Sequence, residues 1–332
     1  MSELRWDPVR GEWVITATHR MDRVLLPPKD FCPLCPTRPG GFETEIPRPD
    51  FEIAVFENRF PSLQANPPVP AVSSTPLHPV EPARGVCEVV VYTAAHEGSL
   101  ATLPPERAKL LVRVWRDRYL DLASRDEIEY ILIFENRGAA VGVTLHHPHG
   151  QIYAFPYIPP VPQREIDSSR NYRAKTGRCL FCDLIQEEVN DGRRLVMEND
   201  SFIAFVPFAA RYPFEVHLYS KRHCPVLAEL TEEEMDLLAI MLRELVACFD
   251  RLFDEPFPYI MVLHQAPVHK EKETAHLHFE FYPPLRDRGK LKYLAGCEQG
   301  AGTFINDSLP EEKAALLRAA AGAGGRCNYE KS

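Results

Sequence analysis

Two halves of this chain carry the same features in the same order. Cys32-Pro33-Leu34-Cys35 is answered by Cys179-Leu180-Phe181-Cys182, and Glu52-Ile53-Ala54-Val55 by Phe202-Ile203-Ala204-Phe205. Glu88-Val89-Val90-Val91-Tyr92 leads to His96, and Glu215-Val216-His217-Leu218-Tyr219 leads to His223; glutamate and histidine lie eight residues apart in both. Tyr130 to Phe134 matches Tyr259 to Leu263. His147-Pro148-His149-Gly150-Gln151 matches His276-Leu277-His278-Phe279-Glu280, with His96 and His147 51 residues apart and His223 and His276 53 apart. Ordered self-similarity of this kind is the mark of an internal duplication. The Pro-rich stretch 61–84, which reads as a surface loop, accounts for the longer cysteine-to-histidine interval of the first copy.

Each copy reads strand, strand, helix, strand, strand. The β-branched runs predict strands. Leu103-Pro104-Pro105-Glu106 opens an amphipathic helix to about Ser124. Leu230-Thr231-Glu232-Glu233-Glu234 opens another to about Leu252, with threonine as cap. Trp13-Val14-Ile15 predicts a further strand near the start. Strands and helices do not alternate, and no G-x-G-x-x-G follows a strand, so the pattern implies an antiparallel α+β fold rather than a dinucleotide fold. Proline-dense residues 156–162 interrupt the pattern and place the border between halves near 160–175, giving units of 1–165 and 166–332.

The net charge of −9 excludes the basic face that nucleic-acid binding requires. No apolar run reaches the length of a membrane span, and MSELRWDPVR does not read as a secretory leader, so a cytoplasmic protein is expected. The nine cysteines are 32, 35, 87, 179, 182, 224, 248, 297 and 327. An odd count without an export signal argues against a disulfide framework, and the two C-x-x-C pairs read as metal ligands or redox sites.

Zinc favours four sulfur and nitrogen ligands in a tetrahedron. The first copy offers Cys32, Cys35, His96 and His147; the second offers Cys179, Cys182, His223 and His276. Two zinc ions per chain are expected. Four protein ligands leave no open position, which makes each ion a strut. In an extended segment His147, His149 and Gln151 share one face. With His147 on zinc, His149 stands outside the ligand set, and a neutral imidazole is a nucleophile toward phosphorus. The Gln151 amide can stabilise charge on phosphoryl oxygens, and Gly142 and Gly150 allow backbone to approach a phosphate closely.

From Trp13-Val14-Ile15 to Lys292-Tyr293 the sequence resembles the galactose-1-phosphate uridylyltransferases, the transferase branch of the histidine-triad superfamily. The most specific piece is His147-Pro148-His149-Gly150-Gln151 preceded by Phe134-Glu135-Asn136-Arg137-Gly138-Ala139-Ala140-Val141-Gly142. Tyr212-Pro213-Phe214-Glu215 and Phe281-Tyr282-Pro283-Pro284-Leu285 add to it. Hydrolases of the superfamily carry a third histidine where Gln151 stands. The resemblance implies tandem histidine-triad-like repeats on a largely antiparallel sheet (a half-barrel) with flanking helices. It further implies ping-pong transfer of UMP from UDP-glucose to galactose 1-phosphate through a uridylyl-histidine on His149, with Gln151 holding the phosphoryl oxygens. Asn58 matches a uridine-pocket position; Asn136, Gly142 and Thr144 match positions around the phosphates. Arg20 and Arg23 match basic positions, and Lys292, Tyr293 and Glu298 match sugar-site positions that reach the partner subunit's site, which implies a homodimer. Arg59 stands where the family commonly has aspartate.

The second copy departs from better-known members, which hold a second metal with a glutamate and three histidines. Glu165, His264 and His278 match three of those positions and Glu280 occupies the fourth, so iron at these four residues is the alternative to zinc at the second cysteine pair. His278 lacks the neighbouring glycine and glutamine and is expected not to be catalytic. Two other functions fit the pattern: a nucleotide-sugar phosphorylase on the same fold, of ADP-glucose type for example, and a non-catalytic nucleotide-binding zinc protein.

Overall fold

The computed structural model describes residues 2–22 and 31–322. Arg23 and Cys327 lie outside the described residues.

The strands are β1 (Ser2–Asp7), β2 (Glu12–Ala17), β3 (Ala54–Glu57), β4 (Val80–Pro82), β5 (Val86–Val91), β6 (Tyr130–Arg137), β7 (His149–Phe155), β8 (Leu195–Glu198), β9 (Phe202–Phe205), β10 (Val216–Ser220), β11 (Tyr259–His264), β12 (His278–Tyr282), β13 (Leu285–Asp287) and β14 (Lys290–Leu291). The helices are α1 (Pro105–Ala123), α2 (Pro160–Thr176), α3 (Leu180–Asp191), α4 (Glu232–Phe253) and α5 (Pro310–Ala321). Nine strands form one sheet in the order β3-β5-β7-β6-β11-β12-β10-β9-β8. Its pairs are antiparallel. The duplication is therefore visible in space. One half contributes β3-β5-β7-β6, the other contributes β8-β9-β10-β12-β11, and the two meet where β6 pairs with β11, Phe134 opposite Val262. Two halves that each end in an open strand satisfy those backbone groups by pairing with one another.

The expected strand-strand-helix-strand-strand order holds in both halves. β5 is buried at all six positions, as its valines require of a central strand. α1 buries Ala108, Leu111, Val112, Trp115, Tyr119 and Leu122 at three- to four-residue spacing. α4 begins in a capping box: the Thr231 hydroxyl accepts from the Glu234 amide at 3.2 Å, and the Glu234 carboxylate accepts from the Thr231 amide at 2.8 Å. The two helices pack on one another and on the same face of the sheet, closing one core that runs across both halves.

The structure adds elements that the pattern did not announce. The prolines at 160 and 162 do not break the chain; they open α2, because first-turn residues need no amide donor. Residue 165 accordingly lies within a helix. α3 and α5 were not expected either. Within 61–84, residues 80–82 form β4, which pairs with β1 beside the β1–β2 hairpin.

Candidate active site

The first cluster joins an irregular knuckle to two loops of the sheet. Cys32 Sγ lies 3.7 Å from His147 Nδ1, and Cys35 Sγ lies 3.4 Å from His96 Nδ1 and 3.6 Å from His147 Nδ1. Zinc bond lengths at tetrahedral angles put sulfur and nitrogen about 3.6 Å apart. The ring orientation fits as well. His147 Nε2 donates to the Thr93 carbonyl at 2.7 Å, which leaves Nδ1 as the lone-pair nitrogen. Burial pushes the His147 pKa down and keeps the ring neutral, as a ligand must be. Burial and then the neighbouring Cys32 push the Cys35 thiol up to about 11. Two thiols so placed ionise together only beside a cation.

The second cluster repeats this chemistry on a different scaffold. Cys179 is the N-cap of α3 and Cys182 lies in its first turn. Cys182 Sγ is 3.9 Å from His223 Nδ1 and 3.7 Å from His276 Nδ1. His276 Nε2 donates to the Ser220 carbonyl at 2.7 Å and His223 Nε2 to the Lys272 carbonyl at 3.0 Å, so again Nδ1 faces the sulfurs. The four ligand atoms of each cluster all lie within 4.8 Å of one another.

Glu165, His264, His278 and Glu280 form a third group of the same compactness, sharing no residue with the second. The two donor sets that the sequence offered as alternatives are thus separate places. His264 Nδ1 is 3.0 Å from both oxygens of Glu165. Burial opposes the His264 charge, but Glu165 and Glu280 prevail and bring its pKa up to about 9. His278 Nε2 lies 3.6 Å from Glu280 Oε1 and 3.9 Å from Glu165 Oε2.

The strand β7 carries the candidate pair, His149 and Gln151. His149 Nδ1 donates to the His147 carbonyl at 2.8 Å. A carbonyl only accepts, so Nδ1 holds the proton and Nε2 is the basic nitrogen of the neutral ring. The Gln151 carbonyl oxygen accepts from Asn58 Nδ2 at 3.2 Å, and this fixes the amide with its NH2 group as the end available to a phosphoryl oxygen. Alternation along β7 puts His149 and Gln151 on one face. His147, expected on that face, departs from it: Pro148 precedes the strand, and His147 turns into the cysteine cluster. Between the pair, Gly150 abuts Tyr92, whose hydroxyl donates to Glu135; a Cβ there would lie 2.3 Å from that hydroxyl oxygen.

His149 sits between two cavities. One, of about 310 Å3, is walled by Phe31, Leu34, Phe56, Phe60 and Val89, with Asn58, Thr144 and Gln151 at its polar end and Glu45 and Arg59 also on its lining. The other, of about 470 Å3, is polar and lined by His96, Ser99, Asn136, Arg137, His146 and Asp250 among others. An aromatic slot on one side of a nucleophile and a polar basin on the other suit a molecule with a flat base, a phosphate and a sugar. The apolar wall escaped the sequence reading. Its only sign was the clustering of Phe31, Leu34, Phe56 and Phe60 around the first knuckle and Asn58.

The remaining expected residues are placed as follows. Gly142 takes a left-handed φ of 81° at the end of a 3-10 turn in the loop before β7. Arg20 Nη1 donates to the Phe60 carbonyl at 2.8 Å, behind the aromatic wall. Lys292 and Glu298 pair at 3.5 Å, and Tyr293 is 76% exposed. These three do not line either cavity beside His149.

In the second half His278 Nδ1 donates to the His276 carbonyl at 2.7 Å, the same bond that orients His149. There the resemblance between the halves stops. His278 is 2% exposed, its ring packs on Phe181 and Tyr219, and the adjoining cavity measures about 10 Å3. That space is too small for a nucleotide.

Two half-copies joined in one antiparallel sheet, with an oriented His-x-Gln pair in one half and a Cys2His2 cluster beside it, define a duplicated α+β protein with a candidate histidine nucleophile. Within that type the chain belongs to the galactose-1-phosphate uridyl transferase family, whose N-terminal domain matches residues 1–159 and whose C-terminal domain matches residues 165–324. A galactose-1-phosphate uridylyltransferase of Thermotoga maritima is 43% identical, over 96% of this chain and 98% of that protein. A solved structure of a uridylyltransferase superposes with a TM-score of 0.87 at 39% identity, covering 96% of this chain and 98% of that one. An ADP-glucose phosphorylase from Arabidopsis thaliana with bound ADP-glucose superposes with a TM-score of 0.71 at 26% identity, covering 96% and 99%. Among the described residues no helix is long and apolar enough to cross a membrane.

Proposed function

We propose that the chain moves UMP from UDP-glucose to galactose 1-phosphate in two half-reactions through His149. The observation that carries this reading is the Nδ1–H bond from His149 to the His147 carbonyl, which makes Nε2 the nucleophile at the junction of the two cavities. His149 Nε2 attacks the α-phosphorus of UDP-glucose; the bond to the β-phosphate oxygen breaks, and glucose 1-phosphate departs with that electron pair. Positive charge developing on the ring is stabilised at Nδ1–H by the carbonyl it already contacts. The Gln151 amide donates to the phosphoryl oxygens. A phosphate oxygen of galactose 1-phosphate then attacks the same phosphorus; the N–P bond breaks, its electron pair returns to Nε2 to restore the neutral ring, and UDP-galactose departs. Asn58, Asn136, Gly142 and Thr144 bind the nucleotide on this reading. Arg20, Arg23, Lys292, Tyr293 and Glu298 serve as the basic and sugar-site groups, the last three across a homodimer interface. In their own chain the last three line neither cavity beside His149, which supports a shared site.

Cys32, Cys35, His96 and His147 would hold one zinc ion, and Cys179, Cys182, His223 and His276 a second. Each would fix the position of a strand end and its histidine. Iron at Glu165, His264, His278 and Glu280 is the lesser reading, because the second cysteine pair with its two histidines offers the sulfur and nitrogen set that zinc favours. The enzyme is proposed to work in the cytoplasm.

Incubation with UDP-glucose labelled at the α-phosphate tests the reading. It predicts an acid-labile, base-stable adduct that H149A abolishes and galactose 1-phosphate discharges. An adduct discharged by inorganic phosphate instead would make the chain a phosphorylase. No adduct with UDP-glucose or ADP-glucose would sink both enzymatic readings.

A further inference from the structure

We propose that Glu45, delivered by the first cysteine knuckle, is the group that recognises the ribose hydroxyls of the nucleotide. The inference rests on the proposed function only in placing a nucleotide in the aromatic cavity. With phosphorus at His149 and Gln151 and a base among Phe31, Phe56 and Phe60, the ribose lies between them. Its vicinal hydroxyls are donors that a carboxylate can accept as a pair of short charge-assisted bonds. Glu45 is the one carboxylate on the lining of that cavity among the described residues. Asn58, by contrast, carries no charge and already uses one bond at each end: its Nδ2 donates to Gln151, and its Oδ1 accepts from the Phe60 amide at 2.9 Å.

Glu45 is held for such a role from both ends. Its backbone amide donates to the Pro33 carbonyl at 3.0 Å, and the hydroxyl of the preceding Thr44 donates to the Cys35 carbonyl at 2.6 Å. Ile46 bridges to Pro36. The turn that carries Cys32 and Cys35 therefore also sets where the carboxylate stands. Arg59 Nη1 donates to Glu45 Oε1 at 3.1 Å, and the Arg59 guanidinium lies 5.8 Å from the Phe60 ring centroid. This leaves Oε2 as the open acceptor. Glu45 is 27% exposed and Arg59 70%, so the pair forms the rim of the cavity and not its floor. Arg59, opposite in sign to the residue the family commonly has there, acts on the sugar only through Glu45.

The test compares UDP with 2′,3′-dideoxy-UDP in equilibrium binding, and UDP-glucose with 2′,3′-dideoxy-UDP-glucose in release of glucose 1-phosphate. Wild type is expected to favour the ribose form by about tenfold or more, the range for a hydrogen bond to a charged group. E45Q should lose most of that preference, weakening the ribose ligands while leaving the dideoxy ligands within about twofold. Equal weakening of both by E45Q, or a wild type indifferent to the ribose hydroxyls, would overturn the proposal. Binding is read without turnover. If binding shows a preference that E45Q removes while UDP-glucose is not turned over, the catalytic reading fails and the role of Glu45 stands.

Discussion

Replacing Gly150 with alanine should damage catalysis more than stability, and Tyr92→Phe should partly repair it. The added methyl would lie 2.3 Å from Tyr92 Oη, 3.2 Å from Tyr92 Cζ and 3.0 Å from the Phe134 carbonyl oxygen. Ordinary contact begins at 3.4 Å, so strand or ring must yield by about 1 Å. The ring is held: Tyr92 is fully buried, and its hydroxyl donates to Glu135 at 3.1 Å. Overpacking of this kind costs about 1–3 kcal/mol. The larger effect falls on His149 and Gln151, which flank the methyl. A displacement near 1 Å at a reacting atom lowers turnover by about a hundredfold. Urea unfolding and kcat for glucose 1-phosphate release would be measured for G150A, Y92F and the double variant. Y92F removes the oxygen responsible for the worst contact and leaves Glu135 with Tyr259, which donates to it at 2.8 Å. The double variant should therefore regain about tenfold in kcat over G150A. Wild-type activity in G150A would show that the strand is not clamped, and absence of repair would show that Tyr92 is not what clamps it.

Metal analysis is expected to find two zinc equivalents per chain, with C32S and C179S each losing one and E165Q losing none. Iron present in the wild type and lost in E165Q would favour the third group instead. C32S should also weaken UDP binding, because the same turn positions Glu45. Glu135 provides a pH signature. Burial raises its folded-state pKa above the usual 4.5, so its stabilising contribution is full below pH 4.5 and is lost as pH rises through the raised value. Relative to E135Q, wild type should lose stability as pH rises from 4.5, read from urea midpoints; a constant difference would show that Glu135 is not destabilised by ionising.

The chemistry of this protein was legible because duplication writes it twice. Cys32, Cys35, His96 and His147 were grouped by their counterparts in the second half, and the structure brings both groups together. The secondary elements of each copy were legible for a local reason: β-branched runs, helical spacing and the Thr231 cap act over a few residues. Even so, Pro160 and Pro162 misled, since proline reads as a breaker unless the helix it opens is known.

What sequence order could not convey is which groups face one another across the sheet. Pairing of β6 with β11 joins strands more than a hundred residues apart, and nothing in either strand names its partner. His147 and His149, two residues apart, serve different places because Pro148 keeps the first out of the ladder. Donor sets that compete on paper, Cys179 to His276 and Glu165 to Glu280, occupy separate space. Glu45 shows the difference most plainly. Along the chain it is one surface acid among 47 acidic residues. Its place on the rim of the aromatic cavity comes from long-range contacts that bind the cysteine turn to β3 and β5, and these exist only once the sheet has formed.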